Sequence, residues 1–195
     1  MIKLENTVFD ESKDGLVPIV SGTYPAHVQG FDSRDIETKN GSQKVFNVTF
    51  QIADEANKVK VNKVASDGNG GLNTVTDDNG NPVVIDAGYL VGKRFNSTGI
   101  WLTPQPPEGQ GWRNRRYKDF FSSLGVVFPQ DEKGRTMLAE VEEDDVSGQP
   151  CLIKIDKEEY EKDGEKRTAW KVFNAYPWKD GQKLSSEEVS SDVPF

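Results

Sequence analysis

A chain with one cysteine forms no internal disulfide, and one with a single histidine offers no multi-histidine metal site. Cys151, in the run "QPCLIKI", reads as a small buried hydrophobe. Long apolar runs are missing too. Nothing approaches the roughly 20 residues needed to cross a bilayer, and the opening segment "MIKLENTVFDESKDG" lacks the basic and apolar regions of a signal peptide. The expectation is a soluble, cytoplasmic protein. Phosphate loop, nucleophile elbow and zinc-protease helix motifs are all lacking, so no enzyme signature is present and no cofactor is expected.

Positive charge is in deficit overall: 24 Lys and Arg against 32 Asp and Glu, a net charge of -8. Its distribution matters more than its sum. Between Lys93 and Lys118 stand Lys93, Arg94, Arg113, Arg115, Arg116 and Lys118 with the single acid Glu108, whereas Asp131 to Asp145 holds Asp131, Glu132, Glu140, Glu142, Glu143, Asp144 and Asp145 against Lys133 and Arg135. Basic residues sharing one surface can bind a polyanion whatever the total charge, because counterion release is local.

Hydrophobic residues make up 34% of the 195, enough for one domain with a core and some solvated chain. In "QKVFNVTFQIA", Phe46, Val48, Phe50 and Ile52 alternate with polar residues, the period of a strand with one buried face. "GTYPAHVQGF" precedes it, and Asn40-Gly41 between them is a hairpin signal. From Asp54 to Pro82 the chain is rich in Asn, Asp and Gly, which predicts a long mobile loop insertion. "VVIDAGYLVGKRFNSTGIWLTP" reads as a third strand bent at Gly88 and Gly92. In "WRNRRYKDFFSSLG", Tyr117, Phe120, Phe121 and Leu124 form one apolar helical stripe, stopped by Gly125. "QPCLIKIDKEEY" and "KRTAWKVFNAYPW" are two final strands joined at "KDGE". The expected fold is mainly β: a five-stranded OB-fold-like barrel with one helix between strands 3 and 4, the domain spanning 1-178. A flexible acidic tail, 179-195, follows it.

The chemistry-bearing residues are cations mixed with rings. Lys93, Arg94, Trp101, Trp112, Arg113, Arg115 and Arg116 offer guanidinium and ammonium groups for phosphates and planar faces for unpaired bases. Trp170 and Tyr176 form a second rank. The strand pattern leaves Trp101 open between core and exterior. The rival reading takes Glu140, Glu142, Glu143, Asp144 and Asp145 as the magnesium site of a nuclease, although consecutive acids in a loop point in different directions. A third reading is a virion or adaptor protein using the fold for protein contacts. Metal ligands are otherwise not expected.

The last six residues are "SSDVPF", a polar segment ending on an aromatic. They resemble the acidic carboxy-terminal tip of bacterial single-stranded DNA-binding proteins; the matching positions are Asp192, Pro194 and Phe195, with Val193 in place of the usual Ile. Only one Asp adjoins the tip, fewer than that family carries. Upstream, "SGTYPAHVQGF", the helix after a Pro/Gly loop and "SGQPCLIKIDKEEY" are similar in pattern to phage-encoded single-stranded DNA-binding proteins. The resemblance implies an OB-fold protein that coats unpaired DNA in replication or recombination. It also implies that Asp192, Val193, Pro194 and Phe195 dock on replication proteins.

Overall fold

The computed structural model describes residues 18–39, 41–67, 71–185 and 188–189. Its framework is a six-stranded sheet of β1 (Gly22–Thr38), β2 (Gly41–Ile52), β7 (Arg94–Asn96), β8 (Ile100–Leu102), β9 (Pro150–Lys162) and β10 (Glu165–Pro177). The strand order is β10-β9-β1-β2-β7, and β8 also pairs with β2. All of these pairings are antiparallel. At the open end a single parallel bridge joins Ser97 to Val172, reinforced by Thr98 N donating to Val172 O at 3.0 Å. The sheet therefore curls toward itself without closing into a barrel.

The expected third strand is broken in three. Val84–Asp86 (β6) belongs elsewhere, and β7 and β8 pair with successive stretches of β2. The break follows from Ser97. Its backbone N donates to Val48 O (2.8 Å) and its hydroxyl accepts from Val48 N (2.9 Å), so Thr98 N is left to turn toward β10. A side chain has replaced one rung of the ladder.

The insertion expected to be mobile is ordered among the described residues. β3 (Lys60–Asn62) pairs with β6, and β4 (Val64–Ser66) pairs with β5 (Leu72–Thr74). Lys63, Val75 and Val83 exchange backbone hydrogen bonds of 2.8 to 2.9 Å where the pieces converge. The Asp and Asn residues that read as loop are turn formers here. Asp67 Oδ1 accepts from Gly71 N, and Asp77 Oδ1 accepts from Asn79 N and Asn81 N, which also holds the Asp77 carboxyl below its ordinary value. Two 3-10 turns at its base, Asp54–Lys58 and Ala87–Leu90, send Ala56, Ala87 and Leu90 into the core.

One face of the sheet is covered by α1 (Arg115–Ser123), preceded by a 3-10 turn over Gly111–Asn114. Its stripe of Tyr117, Phe120 and Phe121, continued by Leu124, is buried as the periodicity predicts, and Gly125 ends the helix at φ +89°. Phe46 from β2 meets Tyr117 at 5.2 Å and Phe121 at 5.6 Å between ring centroids. The acidic run forms a short helix, α2 (Glu143–Val146), closed by a reciprocal capping box between Glu142 and Asp145. β9 and β10 are joined through Asp163 (φ 56°) and Gly164 (φ 79°), as their sequence suggested. Among the described residues no helix is long and apolar enough to cross a membrane.

The described part of the expected tail lies against the sheet. Trp178, the last residue of the expected domain, packs on His27 (ring centroids 5.6 Å); within the expected tail, Gln182 O bonds His27 Nε2 at 3.0 Å and Leu184 N donates to Gly148 O at 3.0 Å. Residues 186–187 and 190–195, including the tip, lie outside the described residues.

Candidate functional site

Sequence neighbours on α1 and its leading turn become neighbours in space with β10. The 3-10 turn points Asn114 inward, where its side chain accepts from Thr103 N (2.8 Å) and donates to Thr103 O (2.9 Å). That anchor turns Trp112 outward, 70% exposed. Four side chains of the apolar stripe take the inner face of the helix, so Arg115, Arg116 and Asp119 stand on the outer one. β10 contributes Asn174 and Tyr176, both exposed beyond the bulge between Val172 and Asn174. Together these residues, with Arg113, line one groove of about 580 Å³.

The cations of this groove are not equivalent. Arg113 lies 5.9 Å from the centre of the Trp112 ring, a cation–π distance. Arg115 forms an exposed pair with Asp119 at 3.6 Å, which holds it weakly. Arg116 donates to the Thr98 hydroxyl and to Phe173 O (3.3 Å), tying α1 to the connection between β7 and β8 and to the bulge of β10. These bonds let it brace the groove from an exposed position.

The remaining expected residues stand elsewhere. Odd-numbered residues of β2 point to the face opposite the main core cluster, where Val45 is itself buried at 2% exposure; Val45 pairs with Trp101 while Gln51 pairs with Arg94, so Trp101 and Arg94 share that face of the sheet, about 20 Å apart along the strand. Trp101 is 42% exposed, which resolves the choice left open by the sequence in favour of the exterior. Gly99 makes this possible: a Cβ there would stand 2.9 Å from Val45 Cγ2 and 3.4 Å from Trp101 Nε1. Arg94 Nε donates to Gln51 Oε1 at 3.2 Å, and Lys93 lies over the Tyr89 ring at 5.9 Å. Trp170 is partly buried against the core. Asp192, Val193, Pro194 and Phe195 lie outside the described residues.

Residues not singled out in the sequence fill the space between. Asn47, Thr49, Asn96 and Lys171 line a second cleft of about 510 Å³ on the same outward face. The alternation of Asn47, Thr49 and Gln51 marked them as outward-facing; only the Ser97–Val172 bridge brings Lys171 beside them. Asp119 and Asn174 were likewise legible only once the groove had formed. The acids of the rival reading do not converge: among the described residues no three His, Cys, Asp or Glu side chains gather to hold a metal ion. Burial pushes the Cys151 thiol up, leaving it inert as a nucleophile. In sequence, the chain matches no protein-family model and no curated protein.

Proposed function

We propose that this chain binds single-stranded DNA, without catalysis and largely without regard to sequence, on an OB-fold-like scaffold in phage DNA replication or recombination. The strand connectivity supports the scaffold. The first strand pairs with the second and fourth, the fourth with the fifth, the third touches the fifth in parallel, and the helix separates third from fourth, if β7 and β8 count as one strand. The observation that carries the function is the groove. Two exposed rings, Trp112 and Tyr176, stand in one depression with Arg113 and Arg115, in a chain whose net charge is -8. Rings stack on unpaired bases at roughly 1 to 3 kcal/mol each while cations follow the phosphates. The outward face with Arg94 and Trp101 extends the same chemistry. The tip, Asp192 to Phe195, recruits replication proteins.

A fluorescence titration with single-stranded and duplex oligonucleotides at several salt concentrations tests this reading. Single strands should bind more tightly than duplex, and affinity should fall steeply with salt. Replacing Arg113 and Arg115 with Ala should flatten the slope of log affinity against log salt by about one to two units. Arg116 is left in place because it braces the fold. Equal affinity and slope in the folded double variant would move the site away from the groove. Shortening of labelled strands in magnesium would overturn the non-catalytic reading.

A further inference from the structure

An anion-binding groove gains nothing from a carboxylate facing phosphates, yet Asp119 lines the groove beside Arg113, Arg115 and both rings. Its charge is only loosely spent. The pair with Arg115 is exposed on both sides, at 83% and 64%, and engages one oxygen, Oδ2, at 3.6 Å. A carboxylate has about four lone-pair positions, so the Asp119 edge still has acceptor capacity toward the groove. Across from it, on β10, stands the exposed carboxamide of Asn174, which can donate as well as accept.

This pairing fits one base better than the others. Guanine presents two adjacent donors, N1–H and the N2 amine, to a carboxylate, and next to them a carbonyl, O6, that accepts from an amide. Cytosine and adenine offer one exocyclic amine beside an acceptor. Thymine offers one N–H flanked by two carbonyls, which a carboxylate repels. We infer that the α1–β10 groove is a guanine-preferring subsite, in which the base stacks against Trp112 or Tyr176 while Asp119 accepts from N1–H and N2–H and Asn174 donates to O6. The inference rests on the single-strand reading above and adds a base preference at one position of an otherwise tolerant surface.

Thymidine strands with and without isolated guanines, and a third set with inosine in place of guanine, separate the two readings. Isolated guanines avoid the association of guanine runs. The intact protein should bind the guanine-bearing strand about fivefold or more tightly than the all-thymidine strand, the lower end of what a bidentate base contact gives. Inosine, which lacks the N2 amine, should lose most of that gain. Asp119→Asn and Asp119→Ala, both at an exposed helix position, should abolish the preference, read as the ratio of affinities for the guanine-bearing and all-thymidine strands. Binding of all strands with equal affinity would overturn the guanine subsite and leave single-strand binding intact, as would a preference that survives both substitutions. Absence of binding to every strand would overturn both.

Discussion

At the scale of single residues, the groove depends on Asn114. Its side chain satisfies both backbone groups of Thr103 in a site only 6% exposed. Asn114→Ala should destabilise the fold by about 2 to 4 kcal/mol, because a buried donor and acceptor lose their partners together, and denaturant unfolding would measure it. Variants that still fold should also bind DNA less well, since Trp112 loses its anchor. Tyr117 has a similar double role: its hydroxyl donates to Ala139 O and accepts from Val141 N, both at 2.9 Å. Burial pushes that hydroxyl from 10.0 up to about 12. The folded state therefore holds its proton where the unfolded chain releases it. Stability is full below pH 10 and declines through the interval up to about pH 12, by up to about 1.4 kcal/mol per pH unit for this group. Tyr24, also raised by burial, adds to the decline. Denaturation midpoints measured across that range should fall less steeply in Tyr117→Phe, and an unchanged slope would show that the hydroxyl titrates alike in both states. The inward stripe was readable because a 3.6-residue period needs no partner to be seen. Asn114 was not readable, since its value lies in a contact with Thr103 that only the folded chain makes.

Elements differ in how far their own residues specify them. β2, β9 and β10 carry sustained patterns and form as the sequence suggests, whereas β3 to β6 are three residues each and too short for any period to show. Their order comes from Asp67 and Asp77 folding the turns and from the crossing at Lys63, Val75 and Val83. Composition marks such a stretch as loop, because the same residue types serve both. The ribbon should be separable from the fold. Lys60 and Asp86 are direct partners, so a short Gly-containing turn can join Val59 to Ala87 while Ala56, Ala87 and Leu90 stay in the core. We expect the shortened protein to lose no more than about 2 kcal/mol in denaturant unfolding, the cost of uncovering half-buried Val61 and its neighbours. If Lys60 and Lys63 on the ribbon contact DNA, its salt slope will also flatten; an unchanged slope would confine binding to the sheet and the groove.

For the whole molecule, the question is where the folded unit ends. Composition placed the boundary after Trp178, because nothing beyond is periodic. The structure extends the contacts past Trp178 as far as Val189 through bonds that have no pattern in sequence: Glu188 N and Val189 N on Ser185 O, the Gln182 carbonyl on the His27 imidazole, and a backbone bond at Gly148. Gly148 is required for the last of these. It sits at φ +70°, and a Cβ there would stand 2.6 Å from Leu184 O. Two truncations follow from this. A chain ending at Val189 should melt as the intact protein does. One ending at Pro177 exposes the surface beneath Trp178 and Leu184, both half-buried, and should lose about 2 to 3 kcal/mol. Gly148→Ala in the full-length chain should reproduce much of that loss by pushing the segment off. The first truncation also removes Asp192, so its affinity for single strands at low salt should be equal or higher, the sign expected when an acid leaves a protein that binds a polyanion. If the two truncations melt together, the contacts at His27 and Gly148 contribute nothing to the fold, and its boundary lies at the end of β10.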